Sequence, residues 1–110
     1  MKVYYSHTVE SYNTEQEDQD VDLMGRLGLN VLNPNSPDIQ ERIRIMRECG
    51  QTEQEIRAFL DQQIDKCEGV AFRGLSDGSI PDEVWVEVEK AQNDRKPVFE
   101  LPFYEGRHSG

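Results

Sequence analysis

Apolar positions along this chain recur with two different periods, and the switches between them divide it into elements. Lys2 to Tyr5 is a short β-branched and aromatic run closed by Ser6-His7-Thr8, which predicts a first strand and its carboxyl loop. Thr14 and the acidic residues after it predict a helix start, because negative charge there meets the positive end of the backbone dipole. Val21, Met24 and Leu27 give that helix a stripe, Gly28 stops it, and Leu29 to Leu32 predicts a second strand ending in Asn33-Pro34-Asn35. Ser36-Pro37 opens a helix carrying Ile39, Ile43 and Met46, with Gly50 as its stop. Thr52 and Glu55 form a capping box ahead of Ile56, Phe59, Leu60 and Ile64, an amphipathic helix. Val70, Ala71 and Phe72 then read as a buried strand, Arg73 to Pro81 as a loop of small and polar residues, Val84, Val88 and Ala91 as a helix stripe, and Pro97 to Leu101 as a last strand.

The resulting order, β-α-β-α-α-β-α-β, implies right-handed crossovers and a parallel sheet. The expected fold is a three-layer, flavodoxin-like (Rossmann-like) α/β domain of about four to five strands with helices on both faces. Its 110 residues suit one domain, with the polar tail from Tyr104 to Gly110 reading as a frayed terminus. In such a sheet four loops, at Ser6 to Glu10, Asn33 to Ser36, Arg73 to Ser79 and from Pro102 onward, converge at the carboxyl edge, where ligands bind.

Composition narrows what that edge can serve. Twelve Lys and Arg against 22 Asp and Glu give a formal charge of -10, a field that repels nucleic-acid polymers but leaves single nucleosides or nucleotides open. The acidic crowd of Glu15, Glu17, Asp18, Asp20 and Asp22 reads as a solvated helix face. Gly50 to Ile56 has the look of a turn entering a DNA-reading helix, but that helix is acidic and its best face is apolar. Cys49 and Cys67, with no second pair, support neither a disulfide framework nor a metal site and read as buried thiols. No apolar run is long enough to span a bilayer, so the expectation is a cytoplasmic protein that engages no membrane.

Among the acids, Glu87 stands out by position. At 100° per residue it borders the stripe of Val84, Val88 and Ala91, with Trp85 on the other side, which predicts a half-buried carboxylate near a helix start. Such a group can act as a nucleophile or an acid/base catalyst; it can equally be a solvent-facing neighbour of Glu83 and Lys90.

Several short motifs bear on that choice. Val3-Tyr4-Tyr5-Ser6-His7-Thr8 stands as an opening strand and loop, Gly28, Val31 and Pro34 form a Gly-x-x-Val-x-x-Pro element, and Cys67-Glu68-Gly69-Val70-Ala71 precedes the third strand. Glu87 and Ala91 then lead to Lys96-Pro97-Val98. Over residues 2 to 102 these motifs, in this order, resemble the nucleoside 2-deoxyribosyltransferase superfamily, which includes deoxynucleotide N-glycosidases and related phage and microbial proteins. The chain departs from that pattern at Glu89, where the family has Gly, at the displaced Gly78, and in lacking a Gly-Pro after strand one.

The resemblance implies that Glu87 attacks C1′ of a deoxyribosyl group to give a covalent intermediate, resolved by water or a second base, with neither metal nor cofactor. Asp77 and Asp82 are the nearest candidates to assist the leaving base, ahead of Glu68, although Asp77 reads as well as an Asp-Gly turn residue. A 5′-phosphate would find a cation and loop amides in Arg73, Ser76, Gly78 and Ser79, unless Arg73 pairs with a nearby acid instead. Ser6 and Asn33 are placed to contact the ligand, His7 either contacts a sugar or phosphate or is a plain loop residue, and Tyr4, Tyr5 and Trp85 either stack on a base or fill the core. A homodimer is also expected, with the Phe103-Tyr104 tail reaching across. If Glu87 acts as expected, His7, Asn33, Asp77 and Glu87 should surround one cleft.

Overall fold

The computed structural model describes residues 1–102; the Phe103-Tyr104 tail lies outside the described residues. Strands β1 (Lys2–Ser6), β2 (Asn30–Leu32), β3 (Gly69–Phe72) and β4 (Val98–Glu100) alternate with helices α1 (Glu15–Arg26), α2 (Pro37–Glu48), α3 (Glu53–Asp65) and α4 (Asp82–Asn93). All pairings are parallel and the sheet order is β2-β1-β3-β4, so the fold is the expected flavodoxin-like one. One element was not anticipated: a single 3-10 turn, Val9–Ser11, follows β1.

Local chemistry explains the boundaries. Thr52 and Glu55 close the reciprocal capping box at the start of α3, and Thr14 Oγ1 accepts from the Glu17 N–H at the start of α1. Gly28 and Gly50 take the left-handed conformation just past α1 and α2, where the N–H groups of Leu29 and Gln51 reach back to Met24 and Met46. The stripe of α1 is shorter than expected. Leu27 caps the helix and points to solvent, and Leu29 packs on the sheet in its place.

The pleat then sorts the core into layers. Val3, Tyr5 and Ala71 face α1 together with Met24 and Leu101, whereas Tyr4 and Val70 face α3 and α4 through Ile64, Cys67 and Ala91. Phe72, Val84 and Val88 extend the second layer, and α2 packs on α3 through Ile39, Ile43, Met46 and Ile56. Close packing also fixes Gly69, because a Cβ there would stand 2.8 Å from the Pro97 carbonyl oxygen. Trp85 does not widen the core: it is 42% exposed beside exposed Val86 on the outer face of α4. Cys67 is buried as expected, but Cys49, at the C-terminal end of α2, is exposed.

This topology positions the site. β1 pairs with both β2 and β3, yet the chain leaves β1 toward the α1 face and β3 toward the α4 face. The two departures open a crevice beyond Ser6 and Phe72, flanked by the first turns of α1 and α4.

Candidate functional site

Glu87 lies in that crevice, and three donors hold its carboxylate. Tyr4 Oη donates to Oε2 at 2.8 Å, Ser6 Oγ donates to Oε1, and Arg57 Nη2 donates to Oε2 at 2.8 Å. Tyr4 and Ser6 share one face of β1 because they are two residues apart, and Arg57 reaches over from α3. The carboxylate is buried, with its charge balanced by a guanidinium whose side chain is about one-third exposed. The strength of this cluster appears in its partners. Burial, followed by Glu87, pushes the Tyr4 phenol well above its ordinary range; Arg57, whose own burial acts to lower its pKa, is nevertheless raised by Glu87.

Glu87 faces a cavity of about 80 Å³ lined by Tyr4, His7, Tyr12, Arg57, Glu83 and the wall residues Val9, Pro34 and Leu60. The same Val9, Tyr12, Arg57 and Leu60 border a cleft of about 270 Å³ that runs between α2 and α3 past Gln40 and Arg47. Together these spaces reach the lower end of the range for small-molecule sites, roughly 300 Å³.

A second polar cluster forms the α1 side. The His7 ring stacks on Tyr5 with centroids 3.7 Å apart, and its Nδ1 lies 3.1 Å from the Tyr5 carbonyl oxygen. His7 Nε2 lies 2.7 Å from Glu17, whose carboxylate also accepts from the Asn13 N–H and from Asn35 Nδ2. Burial acts to raise the Glu17 pKa, but the hydrogen bonds from His7, Asn13 and Asn35 outweigh it and hold the carboxyl below its ordinary value. A group whose folded pKa is depressed contributes stability above its unfolded pKa and loses that contribution as pH falls through the folded value. Glu17→Gln should therefore lower the urea midpoint at pH 7, and the gap from wild type should shrink once pH falls below about 4.5. Urea titrations across that range check this; a gap independent of pH would contradict it.

The site differs from the sequence expectation in several places. Glu87, Ser6 and His7 do come together: Glu87 and His7 line the cavity, and Ser6 holds Glu87. Asn33 is adjacent, but its Oδ1 accepts from the Asn35 N–H and the cavity wall is Pro34. Asp77 points away: it accepts from the N–H and hydroxyl of Ser79 in an exposed turn, closed further by Leu75 N–H to Ser79 O and Gly78 N–H to Leu75 O. Ser76, Gly78 and Ser79 belong to this self-contained turn and do not line the Glu87 cavity. Asp82 is exposed in the first turn of α4, also off the cavity, and Glu68 accepts from the Lys2 N–H at the amino edge.

Arg73 and Tyr5 turn to the α1 side of the sheet, away from the Glu87 cavity. Arg73 is buried against Asp20 on the α1 side and donates to the carbonyls of Leu101 and Pro102, while Tyr5 Oη donates to Asp20. Asp20 and Glu17 thus leave the solvated acidic face that the sequence suggested. Among the described residues no group of three or more His, Cys, Asp or Glu side chains could hold a metal ion, and no helix is long and apolar enough to cross a membrane. Comparison with protein-family models, curated proteins and solved structures gave no match to this chain.

Proposed function

We propose that the chain cleaves the N-glycosidic bond of a 2-deoxyribonucleoside or deoxynucleotide, by hydrolysis or by transfer to a second base, with Glu87 as nucleophile. The observation that carries this reading is the Glu87 carboxylate, buried yet facing a cavity at the switch point of the sheet. Arg57 pairs with the carboxylate, and Tyr4 and Ser6 fix its orientation, so the oxygen is preorganised for attack on C1′. The glycosidic bond breaks as the carboxylate oxygen bonds to C1′, and water or an incoming base then releases the sugar. Tyr12, beside the cavity and the larger cleft, offers an aromatic face for the base.

One observation favours a second reading. The Arg57 ion pair and the Tyr4 and Ser6 hydrogen bonds occupy Glu87 heavily, as expected of a nucleotide-binding module that performs no turnover. Incubation with a panel of deoxynucleosides and their 5′-monophosphates, with chromatography for free base, tests the enzyme reading and is expected to show release. A nucleotide that raises the thermal midpoint while no substrate yields base would establish the binding module instead.

A further inference from the structure

We propose that Glu83, one helical turn before Glu87, is the proton donor to the leaving base and the proton acceptor from the incoming water. This rests on the reading of Glu87 as nucleophile. In the first step Glu87 Oε bonds to C1′ as the C1′–N bond breaks; the freed electron pair stays on the base, and a base nitrogen takes the proton from the Glu83 carboxylic acid. In the second step the Glu83 carboxylate takes a proton from water, the water oxygen bonds to C1′, and the ester bond between C1′ and Glu87 breaks. Both carboxyl groups finish as they began.

Three observations point to Glu83 over the other acids. It lines the same cavity as Glu87, whereas Asp77 and Asp82 do not. Side chains four apart on a helix share one face, with Cβ atoms about 5–6 Å from one another, so the two carboxyl groups can reach the roughly 5–5.5 Å separation that double displacement uses. Glu83 is also open to react. Glu87 accepts from Tyr4, Ser6 and Arg57, and Glu17 from His7, Asn13 and Asn35, but none of the described residues donates a hydrogen bond to the Glu83 carboxylate.

Electrostatics act in the same direction. Partial desolvation first, then Glu10 from the 3-10 turn and Glu87 from its own helix, raise the Glu83 pKa above the ordinary carboxylate value. Tyr12 and Arg57 are the other titratable groups around this cavity besides His7 and Tyr4, and Arg57 is already engaged by Glu87 and Asp61. Glu87 is thus paired with a guanidinium while Glu83 is pushed toward the protonated form, the difference in environment that nucleophile and acid require.

The experiment compares first-turnover base release by wild type, Glu83→Gln, Asp82→Asn and Glu87→Gln on 2′-deoxyguanosine and on 7-methyl-2′-deoxyguanosine, whose base leaves without needing a proton. Glu83→Gln should slow release from the unmethylated substrate by about 10²- to 10⁴-fold and flatten the alkaline limb of its pH profile, while release from the methylated one changes by less than about fivefold. Asp82→Asn should match wild type on both. Equal slowing of both substrates by Glu83→Gln, or slowing of neither, overturns the assignment, and loss of both with Glu87→Gln would then leave the nucleophile reading in place. No release from either substrate by wild type overturns both together. Glu83 is exposed, so an unchanged thermal midpoint for Glu83→Gln confirms that its fold is intact.

Discussion

Glu87→Gln is expected to abolish base release, lowering turnover by roughly 10³-fold or more while ligand affinity changes only a few-fold. The amide keeps the volume of the carboxylate and still offers an oxygen to Tyr4 or Ser6, but it has no charge to attack C1′ and no ion pair for Arg57. Part of the effect will be structural. Arg57 is about one-third exposed and keeps Asp61 as a second partner, so losing the pair should cost about 1–2 kcal/mol and leave the chain folded. Glu89→Gln provides the contrast. Glu89 lies roughly 160° around α4 from Glu87, on the exposed side, and its substitution should leave turnover and thermal midpoint unchanged. Single-turnover kinetics with isothermal binding measurements separate the two effects. Wild-type turnover in Glu87→Gln would end the nucleophile reading and leave the binding module.

How legible all this was in the sequence depends on distance along the chain. Strand order and helix positions followed from periodicity and from capping at Thr14, Thr52, Gly28 and Gly50, which are local signals. Glu87 was visible because it borders its own helix stripe, and Ser6 and His7 because the end of a first strand meets the carboxyl edge. Arg57 carries no motif of its own, although at 100° per residue it stands only about 20° from Ile64 on the apolar face of α3. A long side chain on such a border lays its stem on the core and carries its charge to a buried acid. Glu83 is unmarked for a different reason: the cavity it faces is closed by Tyr12 and the 3-10 turn, and nothing in the local pattern marks that turn.

The loop from Arg73 to Ser79 misled for a physical reason too. Ser-Asp-Gly-Ser has the composition of an anion-binding loop, but the same Asp and Ser side chains satisfy backbone donors within the turn, and here they do so. Helix α1 held the opposite clue. Glu17 and Asp20 lie about 20° and 40° from Met24 on its wheel, within the buried face, so both acids needed partners. Which partners they take is a tertiary fact: Asp20 and Arg73 are 53 residues apart in sequence.

That pair should give the largest stability effect in the molecule. Asp20 is fully buried, accepts from Tyr5 Oη, and receives two guanidinium donors from Arg73, which is itself buried and bonded to the carbonyls beyond β4. Attraction within the pair offsets the cost of taking two charges out of water only while both are present. Asp20→Leu leaves a guanidinium in the α1 layer and Arg73→Met leaves a carboxylate there, so each should cost about 3–5 kcal/mol. For a domain of this size, with total stability of about 5–15 kcal/mol, that corresponds to a fall of roughly 12 °C or more in thermal midpoint. The double replacement Asp20→Leu with Arg73→Met removes both charges and restores apolar contact with Met24, Tyr5 and Leu101, so it should be clearly more stable than either single variant. The charge-independent part is read from Tyr5→Phe, which removes one donor from Asp20 and should cost about 1–3 kcal/mol. Urea unfolding of the four variants, analysed as a double-mutant cycle, measures the coupling. Single variants within about 1 kcal/mol of wild type, or a double variant no better than the singles, would mean that water or a rearranged neighbour compensates the lone charge and that the pair does not hold α1 to the sheet.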